Sequence, residues 1–402
     1  MASLEQSFEE ACISGKIPHA VIAASNKDGS FAYIRSFGLK ALDQDPAQPI
    51  KDDDIMSIAS LTKLMTTIAA LQCVERGLIG LSDDVADVLP ELAALEVLKG
   101  IDQDKKPILK KRQNAITLRH LLTHSAGLVY DILSPLNQIY NEATGRTAFQ
   151  KGSTVISRFS APLLFEPGTG WHYSPSLDWV GLLITRLTRT SLEEYMKCNI
   201  WGPLGIEDAT FFLEQNDLLK DRLVGMTLRD PTAPEYQGKV VPYSGPPVLG
   251  EATEELGGHG AFTSIPSYLK VLTSILRNDE KLLRKETVAL MFKPQLSQES
   301  QMALQKVFSS SETARLYIAD LPDTVRYDWG FGGALSLDNV EWGRRQGTMV
   351  WSGLPNLFWF IDPEAGLCGV YGGQVMMNGD PQTKKMISLF ERTMYQRSSE
   401  IA

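Results

Sequence analysis

Apolar positions run as strand-like segments near the two ends of the chain and recur at helical spacing through its middle. Leu4, Phe8 and Cys12 fall one helical turn apart, which predicts a short amphipathic helix over residues 3–15. Two strand-like runs follow, His19–Ser25 and Phe31–Phe37. The turn-forming residues Asn26–Ser30 between them predict a β-hairpin. The segment from Leu61 to Cys73 is largely apolar and free of Gly and Pro, so a buried helix is expected there, ending near Gly77. Leu81–Pro90 predicts a short helix with an Asp-rich first turn. Residues 117–213 are mostly helical in pattern, with breaks at Glu166–Gly170 and Gly202–Gly205. Residues 214–258 are rich in Pro, Gly and charge and read as long loops or short edge strands near a site. A helix is expected at 266–277, and the polar stretch Ser309–Thr313 reads as an exposed loop or lid. The tail then turns to strands at Trp329–Ser336, Gly347–Trp351, Asn356–Ile361 and Gly366–Tyr371. The third is apolar on both faces, as a central buried strand is. Asp380-Pro381 opens a final helix running to about Gln396.

Strands at both ends with helices between them predict one sheet built from the terminal segments. No repeat at solenoid periods is visible. With 402 residues, 43% hydrophobic and 22% charged, the chain has the make-up of a soluble globular protein with an ample core. Its net charge of −9 argues against a nucleic-acid backbone as partner. No apolar run approaches the roughly 20 residues that a membrane span needs. The acidic, amphipathic start is unlike a signal peptide. Cys12, Cys73, Cys198 and Cys368 are scattered and read as reduced thiols, so a cytoplasmic protein is expected. The stretch Asp102–Arg112 carries Lys105, Lys106, Lys110, Lys111 and Arg112. It reads either as an exposed loop or as a docking patch for an acidic carrier protein.

Candidate chemistry centres on Ser60-Leu-Thr-Lys63. Residues three apart share a helix face, so the hydroxyl and the amine stand together at a helix start, where the dipole favours developing negative charge. A serine needs a base beside it to act as a nucleophile, and a lysine taken out of water can be that base. The spacing alone is weak, and Ser267-Tyr-Leu-Lys270 repeats it. Its other reading is a serine near a helix start with a snorkelling lysine. His120 and His124 lie one turn apart. No third ligand or His-Glu-x-x-His motif accompanies them, so a hydrogen-bonded structural role is expected and neither metal nor cofactor is called for.

Longer segments add weight. Ser60–Lys63, Thr117-Leu-Arg-His-Leu-Leu-Thr-His-Ser-Ala-Gly127, Phe165-Glu-Pro-Gly-Thr-Gly-Trp-His-Tyr-Ser-Pro-Ser-Leu-Asp-Trp-Val-Gly181 and Trp351-Ser-Gly-Leu354 together resemble the serine β-lactamase and penicillin-binding-protein superfamily, especially its esterase branch. The resemblance covers nearly the whole chain. It implies an α/β (α+β) fold of the β-lactamase type, with an antiparallel sheet, flanking helices and a mostly helical lobe. Residues 1–402 would form one catalytic unit, with a sheet lobe at 1–60 and 260–402, a helical lobe at 61–259, and the site between them. It further implies Ser60 as nucleophile, Lys63 as its activating partner, Tyr173 as proton shuttle, and the amides of Ser60 and Leu354 as oxyanion hole. Asp178, Gly258, His259, Trp351, Ser352 and Gly353 become candidate substrate contacts. A phenol near pKa 10 and an ammonium near about 10.4 are each wrong for base work at neutrality, but a dry pocket lets them share a proton.

Two departures matter. Pro175 stands where lactamases carry an asparagine, and Trp351 stands at the lysine of their Lys-Thr-Gly, so an anionic amide substrate loses its partners while a flat acyl group gains a wall. Within the superfamily, Leu64–Gly77, Ser176–Trp179, Gly257–Thr263 and Gly353–Asn356 are similar to the fungal acyltransferases of statin side-chain assembly. That likeness implies transfer of an acyl group from a carrier-protein thioester, through acyl-Ser60, to a small-molecule alcohol such as a polyketide. The alternative is a carboxylesterase with the same Ser60, Lys63 and Tyr173. Retention of all three residues argues against a descendant that only binds ligand.

Overall fold

Burial on both faces is what brings the two ends of the chain together. The computed structural model describes residues 2–146, 152–234, 237–247, 249–309 and 324–400. The lid expected at Ser309–Thr313 lies, from residue 310 on, outside the described residues. Seven strands form the main sheet: β1 (His19–Asn26), β2 (Ala32–Gly38), β3 (Tyr327–Trp329), β4 (Ala334–Ser336), β5 (Met349–Gly353), β6 (Leu357–Asp362) and β7 (Leu367–Gly372). Their order is β2-β1-β7-β6-β5-β4-β3, and every pairing is antiparallel. β1 and β7 meet from Val21↔Gly372 to Asn26↔Leu367. β6 is buried along its whole length between β5 and β7, as its two apolar faces predict.

Helices cover both faces. The principal ones are α1 (Leu4–Ile13), α2 (Thr62–Glu75), α3 (Ser176–Thr188), α4 (Ile265–Arg277) and α5 (Pro381–Ser399). Successive residues of β7 point in opposite directions. Cys368 Sγ lies 3.7 Å from Thr273 of α4, whereas a side chain at Gly369 would meet Phe390 of α5. Ser3 and Gln6 form a capping box that starts α1, and Asp380 accepts from Thr383 N to start α5. Phe8 packs on Phe37 with ring centroids 5.0 Å apart, tying α1 to β2.

α2 is buried around its whole circumference from Thr62 to Cys73, so its polar residues must find partners inside the protein. Thr66 Oγ1 donates to Gly257 O at 2.6 Å, and Gln72 Nε2 donates to Asn199 O and Leu282 O. Among the described residues no helix is long and apolar enough to cross a membrane.

Some elements differ from the sequence expectation. Trp329–Ser336 is two strands, β3 and β4, because Gly330, Gly332 (φ +126°) and Gly333 form a turn that pairs Trp329 with Ala334. The charged 102–112 segment is half of a hairpin, Val97–Ile101 with Pro107–Lys110, whose tip and lysines are exposed. Leu81–Pro90 holds only a 3-10 turn, Val85–Asp87, capped by Asp84, before a short helix at Pro90–Ala93.

Ser60 sits in the 3-10 turn Ala59–Leu61 that leads into α2. Ala59 has φ +42°, a left-handed conformation that a non-glycine residue adopts at a cost. Gly353 at the end of β5 lets the sheet approach this turn, since a Cβ there would lie 2.9 Å from Ile58 O. Gly353→Ala is therefore expected to lower the unfolding free energy by about 1–3 kcal/mol, read from the urea midpoint at unchanged m-value. A midpoint equal to that of the parent would show that the turn has room to spare.

Candidate active site

Lys63 occupies the first turn of α2 and is only 2% exposed. Its Nζ lies 3.3 Å from Ser60 Oγ, 3.3 Å from Tyr130 OH and 2.7 Å from Gly258 O. Burial takes the amine out of water and brings its pKa down to about 7, against the opposing pull of the Asp178 charge. Near neutrality a large share of the amine can therefore accept a proton from Ser60.

Tyr173 reaches the same serine from the other side. Its phenol is hydrogen-bonded to Ser60 and accepts from Trp351 Nε1 at 3.2 Å, while burial holds its pKa above the ordinary phenol value. Lys63 Nζ stands 4.7 Å from the centroid of its ring. Behind it lies an aromatic wall. Ring centroids are 4.9 Å apart for Tyr173–Trp351, 4.6 Å for Trp329–Trp351 and 4.8 Å for His124–Tyr173. Trp351 is 1% exposed, so in this structure its indole meets Tyr173 and Trp329, not solvent. Ser352 and Gly353 complete β5, and Leu354 follows in the turn to β6, beside the Ser60 turn.

The remaining candidates gather around Asp178, a fully buried carboxylate in the first turn of α3. Oδ1 accepts from Gly258 N at 2.9 Å and stands 3.3 Å from His259 Nδ1, and Oδ2 accepts from Tyr130 OH at 3.3 Å. Burial pushes the carboxyl up, while His259, Lys63 and the Gly258 amide pull it down, and the net position is below its ordinary value. Gly258 has to be glycine, because a Cβ would lie 2.3 Å from Asp178 Oδ2.

Tyr130 is the participant that sequence reasoning missed. It follows the Thr117–Gly127 motif by three residues, in an apolar run where a tyrosine passes for core. Burial, and next Asp178, hold its phenol well above pKa 10. The two histidines of the Thr117–Gly127 segment are hydrogen-bonded within the protein. His120 Nδ1 accepts from Thr117 N, and His124 Nδ1 shares a hydrogen bond with Ser174 Oγ. His172 Nδ1 donates to Tyr173 O. Among the described residues no group of three His, Cys, Asp or Glu could hold a metal ion. Ser267 lies in the first turn of α4, where its amide donates to the capping Ser264, and the Lys270 amine donates to Gly205 O. A cavity of about 860 Å³ opens beside Ser57, with Phe211, Leu223, Met226, Tyr243 and Phe262 among its walls.

A hydroxyl at a helix start, a desolvated amine and a phenol converging on it make the arrangement of enzymes that pass acyl groups through a serine without a histidine. The chain belongs to the beta-lactamase family, whose profile matches residues 4–393. It is 37% identical to ML-236A carboxylate methylbutanoyltransferase of Penicillium citrinum, over 98% of this chain and 94% of that one. It is also 37% identical to lovastatin esterase of Penicillium rubens, over 94% of each chain. A mutant of simvastatin synthase from Aspergillus terreus superposes with a TM-score of 0.91 at 37% identity, covering 99% of this chain and 95% of that one. The β-lactamase-like fold expected from the sequence is the fold observed.

Acylation by an activated ester should rise with pH through a midpoint near 7, because Lys63 must shed its proton before it can take one from Ser60. Lys63→Ala should remove both the midpoint and most of the rate. A pH-independent rate between 5 and 9 would exclude Lys63 as the base.

Proposed function

We propose that this protein is a serine acyltransferase that takes an acyl group from a thioester donor, holds it on Ser60 and delivers it to an alcohol of a polyketide or another secondary metabolite. The observation that carries the proposal is the 3.3 Å approach of Ser60 Oγ to an amine that burial has made a base at neutral pH. Ser60 Oγ attacks the thioester carbonyl as its proton passes to Lys63, and the amides of Ser60 and Leu354 receive the oxyanion. The carbon–sulfur bond breaks, the thiol leaves with a proton delivered through Tyr173, and the acyl-Ser60 ester remains. The acceptor alcohol then retraces the path, losing its proton to the same pair. Ser352, Gly353, Gly258 and His259 bound the space around the acyl group, and Trp351 and Asp178 lie buried behind them. The unit comprises a sheet lobe, 1–60 and 260–402, and a helical lobe, 61–259.

Names of similar proteins support this reading, since methylbutanoyltransferases act on ML-236A carboxylate and on monacolin J acid. The lovastatin esterase supports the second reading, hydrolysis through the same acyl-serine. An acyl carrier protein is the donor we favour. The exposed hairpin carries Lys99, Lys105, Lys106, Lys110 and Lys111 on a chain of net charge −9, with Ile108 49% exposed among them. A basic patch of this kind suits an acidic carrier. The four unpaired cysteines suit the cytoplasm.

The deciding experiment is intact-protein mass after mixing with a short acyl thioester. One acyl unit gained by the parent and none by Ser60→Ala is the expected result, and an adduct on Ser60→Ala would overturn it. Tyr173→Phe should slow both acyl gain and acyl loss by about 100-fold, and an unchanged rate would remove it from the mechanism. Reversing Lys105, Lys106, Lys110 and Lys111 to Glu should raise KM about tenfold or more for a carrier-bound donor and leave KM for a short thioester unchanged. Equal KM values for the carrier-bound donor would refute the hairpin as its dock.

A further inference from the structure

The hydrogen-bond inventory around Lys63 poses a question of polarity. A neutral amine has two N–H donors and one lone pair, and only the lone pair can take a proton from Ser60. Three oxygens surround Nζ: Ser60 Oγ, Tyr130 OH and Gly258 O. Gly258 O can only accept. Ser60 and Tyr130 each carry a hydrogen, so either hydroxyl could claim the lone pair. If Tyr130 claimed it, the base would be turned away from the serine.

Asp178 resolves the competition. An ionised carboxylate only accepts, and Oδ2 takes the Tyr130 hydrogen, leaving the phenol oxygen as an acceptor toward Lys63. Oδ1 takes the Gly258 N–H and so fixes the residue whose carbonyl receives the second amine hydrogen. Both donors of the neutral amine are then committed, and its lone pair faces Ser60. Once Lys63 has taken the proton, its three N–H groups meet three oxygens and Asp178 balances the new charge.

We infer that Asp178 is a positioning residue for Lys63, acting through Tyr130 and Gly258 to aim the amine's lone pair at Ser60. This role rests on Ser60 being the acylated residue. It differs from the substrate contact that the sequence suggests, because the carboxylate is fully buried and both its oxygens are engaged inside the protein. The groups facing Lys63 are Ser60, Tyr130, Tyr173, Asp178 and His124, and His259 and Arg158 act on Asp178.

The test is a double-mutant cycle on acyl-Ser60 formation. Asp178→Asn keeps the shape but reverses the polarity. The new amide oxygen can hold the Gly258 N–H, its NH2 then faces Tyr130, and the Tyr130 hydrogen is released toward Lys63. Acylation should fall by about 100-fold or more with little change in donor KM. Tyr130→Phe alone should cost about tenfold, since one acceptor is lost while the lone pair keeps its direction. In the Asp178→Asn background, Tyr130→Phe removes the competing hydroxyl and should restore activity by about fivefold or more. Losses that simply multiply would overturn the inference, because a merely structural aspartate predicts that result. Titration of Lys63 carrying ¹³C at Cε gives a readout that needs no acylation. Its midpoint should fall by about one unit in Asp178→Asn as the neighbouring negative charge is lost. An unchanged midpoint would overturn the inference, and a return to about 10.4 would mark an unfolded variant. If the parent gains no acyl group, the acyl-serine reading fails, and the titration alone then decides whether Asp178 governs Lys63.

Discussion

Burying one amine imposes terms on much of the structure. Lys63 sits where water cannot solvate it, so neighbouring elements must supply its acceptors and hold them still. The loop Gly257–Ala261 is fastened to the start of α2 for this purpose: Thr66 Oγ1 donates to Gly257 O, and Ala261 N donates to Thr62 Oγ1 at 3.1 Å. Tyr268 OH, from α4, donates to Leu61 O at 2.9 Å and ties the same turn to the sheet side of the molecule. The glycines of Gly257-Gly-His-Gly260 follow from that proximity. A side chain at Gly257 would lie 2.7 Å from Leu177 O, and one at Gly258 would strike Asp178. The lowered pKa of Lys63 is thus a product of packing, and the loop sequence is what packing required.

The phenol is held by a different interaction. Tyr173 lies after the turn Glu166–Gly170, where a loop residue would ordinarily be mobile. Here Trp351 from β5 and His124 from the Thr117–Gly127 segment hold it in tilted contacts, and Trp329 from β3 braces both edge-on. Each aromatic pair contributes on the order of 0.5–1.5 kcal/mol beyond burial. Trp351 is therefore more than an apolar wall. The indole N–H donates to the phenol oxygen and gives Tyr173 a fixed direction.

Much of this was legible in the chain, for identifiable reasons. The terminal strands showed because β1, β6 and β7 are largely apolar runs, while α1 showed in the helical spacing of Leu4, Phe8 and Cys12 and α5 in the opening Asp380-Pro381. The pairing of β1 with β7 could be anticipated only as one sheet from two ends, since register across so long a separation leaves no local mark. The break inside Trp329–Ser336 was signalled by three glycines that the strand pattern outweighed. The 97–110 hairpin was hidden because its outward charges obscure the alternation that reveals a half-buried strand. Asp178 and His259 were named as candidate substrate contacts, but the connection of Asp178 to Lys63 runs through Tyr130. That link exists only in three dimensions.

On the proposed mechanism, transfer and hydrolysis present the same problem to Ser60, Lys63 and Tyr173, because water and an alcohol offer the same O–H to the same base. The catalytic groups therefore cannot choose between them. Water stands at roughly 55 M, so an acceptor at about 1 mM must gain some 5 × 10⁴-fold, or roughly 6–7 kcal/mol at about 1.4 kcal/mol per tenfold, merely to compete. Effective molarities of about 10⁵–10⁸ M from good positioning cover that gap. On that reading the advantage has to come from holding the alcohol's carbon skeleton, which is work for side chains that take no part in the proton transfers. A methylbutanoyltransferase and an esterase are each 37% identical to this chain, so overall identity does not separate the two outcomes either.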